Sequence, residues 1–288
     1  MAILKEIKEN LKAISNIETI TRVYQEIANL RMNKIRQKVL TNREFINQLS
    51  QVYSLTKRAY LAQFRKGKVT KTQQFFLKSK RPRVVVFLSC NERFYGTLIL
   101  DICKEVLNYL TENKATLVVV GKMGRYLIER ESPGKKIVYF ELDDDKPKAK
   151  ELRDIIEFIK NYQEIIVFHG SFQTILTQKV TQSNISGEII VEKELEKVKT
   201  YLFEPSPEAV LGFFETELKS AFFNQAVLEH QLSKYATRMI AMYRATENAR
   251  KQKRKLIIQQ KKLERQLLNK KQIELFSPLI GRTNKNFF

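Results

Sequence analysis

The stretch that decides the fold reads Phe203-Glu204-Pro205-Ser206-Pro207-Glu208, because it opens the longest segment without helix-breaking residues. After Pro207 the next proline is Pro278, and Gly212 is the only glycine before Gly281. A hydroxyl at the N-cap, a proline at the first helical position and an early acid are typical of a helix start. The sequence therefore predicts one helix of about seventy residues, roughly 100 Å long at about 1.5 Å per residue.

The predicted C-terminal helix changes character along its length. Its first half has apolar residues at helical spacing, which predicts a buried seam. Its second half, beyond Ala249, is crowded with lysine and arginine and keeps only a thin apolar stripe. The predicted seam consists of Val210, Phe213 or Phe214, Leu218, Ala221, Leu228, Leu232, Tyr235, Met239, Met242, Ala245 and Ala249.

The N-terminal segment predicts a second long helix, since it has no glycine or proline before Gly67. Two long amphipathic helices at the ends of one chain can pair as an antiparallel coiled coil when a compact insert joins them. Neither helix shows a strict heptad in its apolar residues, so we expect an irregular, loosely supercoiled pair. The N-terminal apolar stripe comprises Ile3, Ile7, Leu11, Ile14, Ile17, Ile20, Tyr24, Ile27, Leu30 and Ile35.

The insert between the helices alternates strand and helix patterns. Continuous apolar runs of the kind found in buried parallel strands occur at 84–88, 117–120, 137–140 and 165–168. Shorter β-prone segments follow around 172–180, 188–191 and 200–203. The fold class is therefore α/β: a Rossmann-like, mostly parallel domain with an antiparallel margin, carried by a long antiparallel coiled coil of the terminal helices. The predicted boundaries are 1–63 for the first helix, 64–83 for a basic linker, 84–204 for the α/β domain and 205–288 for the second helix.

The net charge of +21 implies a polyanionic partner, an acidic protein surface or an anionic membrane face. A nucleic-acid-binding coiled coil is one such alternative, but the seam around Met239 and Met242 and the lack of base-stacking motifs disfavour it. No apolar run approaches the ~20 residues that span a bilayer, which predicts a soluble, cytoplasmic protein. Cys90 and Cys103 are expected to be reduced and to act as small apolar residues.

Catalytic and ligand motifs were sought in the insert. The turn at 89–96 lacks the three glycines of a dinucleotide site, and no Lys-Ser/Thr pair follows Gly124, which disfavours nucleotide binding. His169 and His230 have no cysteine or carboxylate cluster at ligand spacing. Asp143-Asp144-Asp145 could bind a cation but is interpreted as a solvated turn before a helix. We expect no catalytic residue, metal, cofactor or small-molecule substrate.

Four stretches carry a resemblance to a known family. Leu11-Lys12-Ala13-Ile14-Ser15-Asn16 followed by Ile20-Thr21-Arg22 is similar to the N-terminal pattern of the gamma subunits of F-type ATP synthases. Val118–Arg125 is similar to a Val-Ile-Gly-Lys-Lys-Gly-Arg turn of that family, and Phe203–Leu211 to its helix entry. The most specific stretch, Ala236–Ala249, reads Ala-Thr-Arg-Met-Ile-Ala-Met-Tyr-Arg-Ala-Thr-Glu-Asn-Ala. Together the four resemble the gamma family over nearly the whole chain.

The resemblance implies a rotor shaft that couples ATP synthesis or hydrolysis in an alpha/beta hexamer to rotation and ion transport. It implies an epsilon-type subunit and a membrane rotor ring as further partners, on the cytoplasmic side of the cell membrane. Arg265 and Gln266 match the family's pair that hydrogen-bonds to the hexamer, and the tip at 275–280 would sit in an apolar bearing. The cations expected to face acidic loops of the beta subunits are Arg254, Lys255, Lys261, Lys262, Lys270 and Lys271. The residues expected to pack the shaft are Ile14, Ile20, Ile27, Met239, Met242 and Ala245.

Departures from the family pattern leave a second reading open. The stretches 23–28 and 267–272 differ from the family's usual residues, and Pro278 is expected to end or kink the C-terminal helix. The alternative is the rotor of a specialised F-type-like ATPase that hydrolyses ATP for other mechanical work without a proton-conducting ring.

Overall fold

The computed structural model describes residues 2–65, 81–186, 204 and 206–283. Most of the predicted linker and the β-prone segments at 188–191 and 200–203 therefore lie outside the described residues. The elements in chain order are α1 (Ala2–Arg65), β1 (Arg81–Leu88), α2 (Leu98–Glu112), β2 (Thr116–Val120), α3 (Lys122–Glu131), β3 (Ile137–Phe140), α4 (Ala149–Ile159), β4 (Tyr162–Phe172), β5 (Gln178–Asn184) and α5 (Pro207–Thr283).

The five strands form one sheet in the order β3-β2-β1-β4-β5. β1 pairs in parallel with β2 and β4, β2 pairs in parallel with β3, and β5 is antiparallel to β4. Val86 lies opposite Val118 on one side and Val167 on the other. The prediction of a mostly parallel sheet with an antiparallel margin is confirmed. β4 begins at Tyr162, three residues before the predicted apolar run at 165–168, and the Tyr162 ring is buried in the core.

Both faces of the sheet are buried, which explains the unbroken apolar runs of its central strands. One face, reached by Val85 and Phe87, packs against α2 and α3. The opposite face, reached by Val84 and Val86, packs against α4 and α5, with Phe223 of α5 fully buried. The long C-terminal helix is thus itself a layer of the α/β domain.

The start of α5 follows the predicted signals. The backbone N–H of Ala209 donates a hydrogen bond to Ser206 Oγ at 3.2 Å, so the N-cap prediction is confirmed. At the other end, Pro278 does not end the helix, because α5 continues to Thr283. A proline removes one backbone donor, which a long helix can lose while its flanking hydrogen bonds persist.

The chain forms two compact units, one of residues 1–27 and 239–288 and one of residues 28–238. In each unit, buried or half-buried positions of α1 and α5 recur at alternating steps of three and four residues, which is the heptad of a coiled coil. The expectation of an irregular pair is therefore wrong, because the heptad runs through polar side chains that an apolar count overlooks. In the first unit these positions are Ile7, Leu11, Ile14, Glu18, Thr21 and Gln25 of α1 and Met239, Met242, Thr246, Ala249, Lys253, Leu256, Gln260 and Leu263 of α5. In the second they are Ala28, Met32, Ile35, Val39, Asn42, Ile46, Leu49 and Tyr53 of α1 and Leu218, Ala221, Gln225, Leu228, Leu232 and Tyr235 of α5.

The expected packing residues of the shaft fall into two groups. Met242 is buried, Ile14 and Met239 are half-buried at heptad positions, and Ala245 is half-buried beside Thr246. Ile20 and Ile27, by contrast, are 54% and 38% exposed. They lie one residue before the heptad positions Thr21 and Ala28, and one residue turns a helix by about 100°, so their side chains point away from the seam.

Candidate functional site

The cationic segment of α5 is exposed to solvent. We define it by the residues that the sequence singled out, all of which are exposed. Within the described part of the chain, none of these side chains has a hydrogen bond or an ion pair. Their charge is therefore available to a partner. The members are Arg254, Lys255, Lys261, Lys262, Arg265, Gln266, Lys270 and Lys271.

Two cations just before this segment, Arg250 and Lys253, behave differently, because an acid of α1 binds them. Arg250 Nε and Lys253 Nζ each donate to the Glu18 carboxylate at 3.1 Å. These bonds, that of Lys253 above all, hold the pKa of Glu18 below its usual range. One turn away, Thr246 Oγ1 donates to Thr21 Oγ1 at 2.8 Å. Polar pairs of this kind fix the register of a coiled coil.

A second site lies at the carboxyl ends of β1 and β4, the edge where open α/β sheets usually bind ligands. In this structure the side chain of His230, from α5, occupies this edge. Its Nδ1 accepts a hydrogen bond from the Gly170 N–H at 3.1 Å, and its Nε2 donates to the Ser89 carbonyl at 3.0 Å. A Cβ atom at Gly170 would stand only 2.8 Å from Ser233 Oγ, so α5 approaches the strand as closely as a glycine permits. Burial holds the pKa of His230 well below its ordinary value, and Lys234 nearby acts in the same direction.

Asp144 is the centre of this second site. Its carboxylate accepts the backbone N–H groups of Asn91 and Glu92, each at 2.8 Å, and receives Lys234 Nζ at 2.5 Å. The side chains of Asp144 and Lys234 are only 6% and 3% exposed. The interpretation of the three aspartates as a solvated turn is therefore wrong for Asp144, because the lysine of α5 neutralises it within the core.

The neighbouring backbone extends the network to both long helices. The Asp144 carbonyl accepts the side-chain amide of Gln231 at 3.0 Å and the Tyr235 hydroxyl at 3.3 Å. Asp145 accepts hydrogen bonds from the Tyr235 hydroxyl and from Arg31 of α1. Both long helices, α1 and α5, therefore bind the same turn, which lies between β3 and α4.

Arg238 ties the turn after β1 to α5. Its guanidinium donates to the Glu92 carboxylate at 2.7 Å and to the Arg93 carbonyl at 2.8 Å. The guanidinium carbon also lies 4.0 Å from the centre of the Tyr95 ring, a cation–π distance. Arg238 is only 3% exposed, whereas the Glu92 side chain that it binds is 52% exposed.

Sequence reasoning missed the site around Asp144. One signal was present, because His230, Gln231 and Lys234 are polar residues that interrupt an apolar stretch of α5. Polar residues inside a buried helix segment require partners, although the sequence does not say which. Among the described residues, no group of three or more His, Cys, Asp or Glu is placed to hold a metal ion. In the same part of the chain, no helix is both long and apolar enough to cross a membrane.

The fold and these two sites define a class of protein. Its helices pair in a coiled coil that ends in free cations, and its own C-terminal helix fills the ligand edge of its α/β domain. A family model described as ATP synthase matches residues 3–268. The chain therefore belongs to the ATP synthase gamma family, whose members are the central rotor stalk.

Individual relatives agree with this assignment. An ATP synthase gamma chain of Rickettsia canadensis is 24% identical over 290 residues, covering 96% of this chain and 98% of the relative. One from Roseiflexus sp. strain RS-1 is 25% identical over 289 residues, covering 95% and 96%.

Solved structures share the fold. A chain in the Euglena gracilis mitochondrial ATP synthase, OSCP/F1/c-ring, rotational state 3, superposes with a TM-score of 0.67 at 14% identity, covering 100% of this chain and 97% of that one. A chain in the rotor of the same enzyme, rotational state 1, gives 0.59 at 18% identity, covering 93% and 99%.

Proposed function

We propose that this chain transmits rotation between a hexamer of alpha- and beta-type subunits and a membrane rotor ring. It thereby couples ATP synthesis or hydrolysis to ion transport. The observation that carries the proposal is the cationic segment of α5, which is exposed and unpaired within the described chain. For this role the predicted division into shaft helices at 1–63 and 205–288, a linker at 64–83 and an α/β domain at 84–204 is kept with two changes, because α1 extends to Arg65 and β1 begins at Arg81.

The cationic segment suits a contact that must form and break at every step. Exposed ion pairs contribute only about 0–1 kcal/mol each, so no single contact holds the shaft in one position. Arg265 adds a planar fork that can bind a carboxylate with two hydrogen bonds, and the Gln266 amide adds a neutral donor and acceptor. We infer that acidic loops of the beta-type subunits face these residues.

The ends of the molecule have further roles in this proposal. Leu275 and Phe276 are 71% and 60% exposed, which suits an apolar bearing at the closed end of a hexamer. The side chains at 277–280 lie outside the described residues. The chain is a peripheral part of the membrane-associated complex, and we place it on the cytoplasmic side, where an epsilon-type subunit would dock on the α/β domain.

The two alternatives raised by the sequence have no support from the relatives. These proteins are ATP synthase gamma chains, and one structural neighbour is a chain of an OSCP/F1/c-ring assembly. Neither a ring-less ATPase nor a nucleic-acid-binding protein therefore has an observation in its favour beyond the departures and the charge already described.

The decisive experiment is native purification through a tag on this chain, followed by mass spectrometry of the subunits in mild detergent. Alpha- and beta-type subunits together with a ring protein support the proposal. A hexamer that lacks a ring even after crosslinking before extraction would contradict the coupling to ion transport. The absence of any hexamer would contradict the rotor role itself.

The contact residues have their own test. Arg265→Ala with Gln266→Ala should lower ATP-driven torque in the assembled complex, because it removes the fork and the amide together. Lys104→Ala with Lys114→Ala, at two exposed positions of the α/β domain, is the control that removes charge outside the cationic segment. Unchanged hydrolysis and torque in the first variant would rule out the contact at Arg265 and Gln266.

A further inference from the structure

We propose that the buried polar network around Asp144 is the torque joint of the molecule, where rotation passes between the long helices and the α/β domain. The inference rests on the proposed rotor function and adds the residues that carry the load inside the chain. Asp144 is its central residue, and Gln231, Lys234 and Arg238 are its contacts on α5.

The joint residues of α5 lie on one helical face. His230, Gln231, Lys234 and Arg238 follow at steps of one, three and four residues, which places them within about 100° of the helix circumference, next to the α1 seam at Leu228, Leu232 and Tyr235. Together they contact several pieces of the domain. Their partners are Ser89 and Gly170 for His230, Asp144 for Gln231 and Lys234, and Glu92 and Arg93 for Arg238.

The chemistry of these contacts explains why they would bear torque. The hydrophobic effect opposes the separation of an apolar contact but is non-directional, so by itself it favours no particular rotational position of the helix. Hydrogen bonds and ion pairs depend steeply on distance and angle, and in a buried place a broken one is not replaced by water. The Lys234–Asp144 pair, 3% and 6% exposed, is such a place.

The contacts of α5 also reach two different turns of the domain. Gln231 and Lys234 bind the turn between β3 and α4, whereas Arg238 binds the turn between β1 and α2. Arg31 of α1 binds Asp145 in the first of these turns, so both helices are fixed to the domain there.

The test applies load to the α/β domain of the assembled complex. Cys90 and Cys103 are both buried, so a cysteine introduced at exposed Lys135 gives one reactive attachment point for a magnetic bead. In this background Asp144→Asn removes the charge of the central residue, and Gln231→Leu removes one hydrogen bond at similar volume. Two quantities are measured in each variant: the stall torque of the bead and the rate of ATP hydrolysis without load.

We expect the stall torque of Asp144→Asn to fall about twofold or more, because Lys234 is left buried without its counter-charge. Gln231→Leu should give a smaller fall, and unloaded hydrolysis should stay unchanged in both. A residue with a merely structural role would change both quantities or neither. The control is Glu164→Gln, which breaks the 2.6 Å pair with Arg83 at the opposite edge of the same sheet and should leave the torque intact.

The outcomes are separable. If the unmutated complex does not rotate the bead with ATP, the proposed function fails. If it rotates and both variants keep full stall torque, the joint is overturned while the function stands. If Asp144→Asn does not assemble, Gln231→Leu decides, since an unchanged torque in that variant contradicts the joint.

Discussion

At the scale of single residues, the two buried histidines of the α/β domain are its most acid-sensitive groups. His169 and His230 are 1% and 3% exposed, and burial lowers the pKa of both. The hydrogen bonds of His230, one accepted from a backbone N–H and one donated to a carbonyl, require the neutral ring. A second proton, on Nδ1, would point at the hydrogen of the Gly170 N–H, which cannot accept it.

These histidines predict a loss of stability in mild acid. Below about pH 6.5 the unfolded chain protonates them while the folded chain does not, so the free energy of unfolding falls as the pH falls. Each adds a slope of up to about 1.4 kcal/mol per pH unit until its folded pKa is reached. Urea unfolding between pH 8 and pH 5 measures the slope. His230→Gln, whose amide can make both hydrogen bonds without titrating, should lower it by about one proton, and an equal slope would contradict the assignment.

Gly121 illustrates a residue fixed by close approach. Its φ is +101°, and a Cβ atom there would lie 2.9 Å from the backbone nitrogen of Cys90. We expect Gly121→Ala to destabilise the domain by about 1–3 kcal/mol through strain and collision, measured as a lower melting temperature. Gly134→Ala is the matched control, since φ is +83° there but nothing lies within 4 Å. Equal losses in the two variants would show that backbone strain alone, and not the contact with Cys90, decides.

At the scale of elements, α1 shows what periodicity could and could not predict. The helix and its amphipathic character followed from the spacing of apolar residues. The choice of face did not, because the apolar stripe through Ile20 and Ile27 runs one residue ahead of the heptad through Thr21 and Ala28. A polar residue is favourable at a heptad position only where it has a hydrogen-bond partner, as Thr21 has in Thr246. That partner lies more than two hundred residues away, so local periodicity does not reveal it.

A polar layer in the second unit allows this point to be tested. Asn42 donates to Gln225 Oε1 at 2.9 Å and accepts from Asn224 at 3.2 Å, inside the heptad of α1 and α5. Asn42→Leu alone should cost about 1–3 kcal/mol, since it leaves part-buried amides without partners. Asn42→Leu with Gln225→Leu should cost less than the sum of the single changes, because an apolar pair replaces the polar one.

Chemical denaturation of the two single variants and the double variant gives the coupling directly. Asn47→Leu, at an exposed position of the same helix, controls for the change in helix propensity. Strict additivity of the two changes would mean that the layer is not a coupled unit.

At the scale of the whole molecule, the sequence predicted the arrangement of helices and strands but not the buried network around Asp144. Breaker-free terminal segments and alternating strand and helix patterns are local signals, and they predicted the helices, the sheet and its antiparallel margin. The environment of Asp144 depends on three segments far apart in sequence, which meet only in the fold. The same acid in an isolated turn would be solvated, so local chemistry favoured the wrong interpretation.

The net charge of the molecule leads to a last prediction, about how it finds its partners. Lys255, Lys262 and Arg265 follow one exposed stripe of α5, where like charges add to a positive field. Changing all three to glutamine should slow association with isolated alpha/beta hexamers about tenfold at low salt and flatten the dependence of the rate on ionic strength.

The control for this prediction removes the same number of charges from the exposed Lys104, Lys114 and Lys150 of the α/β domain. Charges farther from the contact than the Debye length, about 8 Å at physiological salt, are screened and should matter little. Stopped-flow association at several salt concentrations measures both variants. If association slows equally in the two triple variants, the total net charge of +21 governs the association rate, and the position of the charges on α5 does not matter.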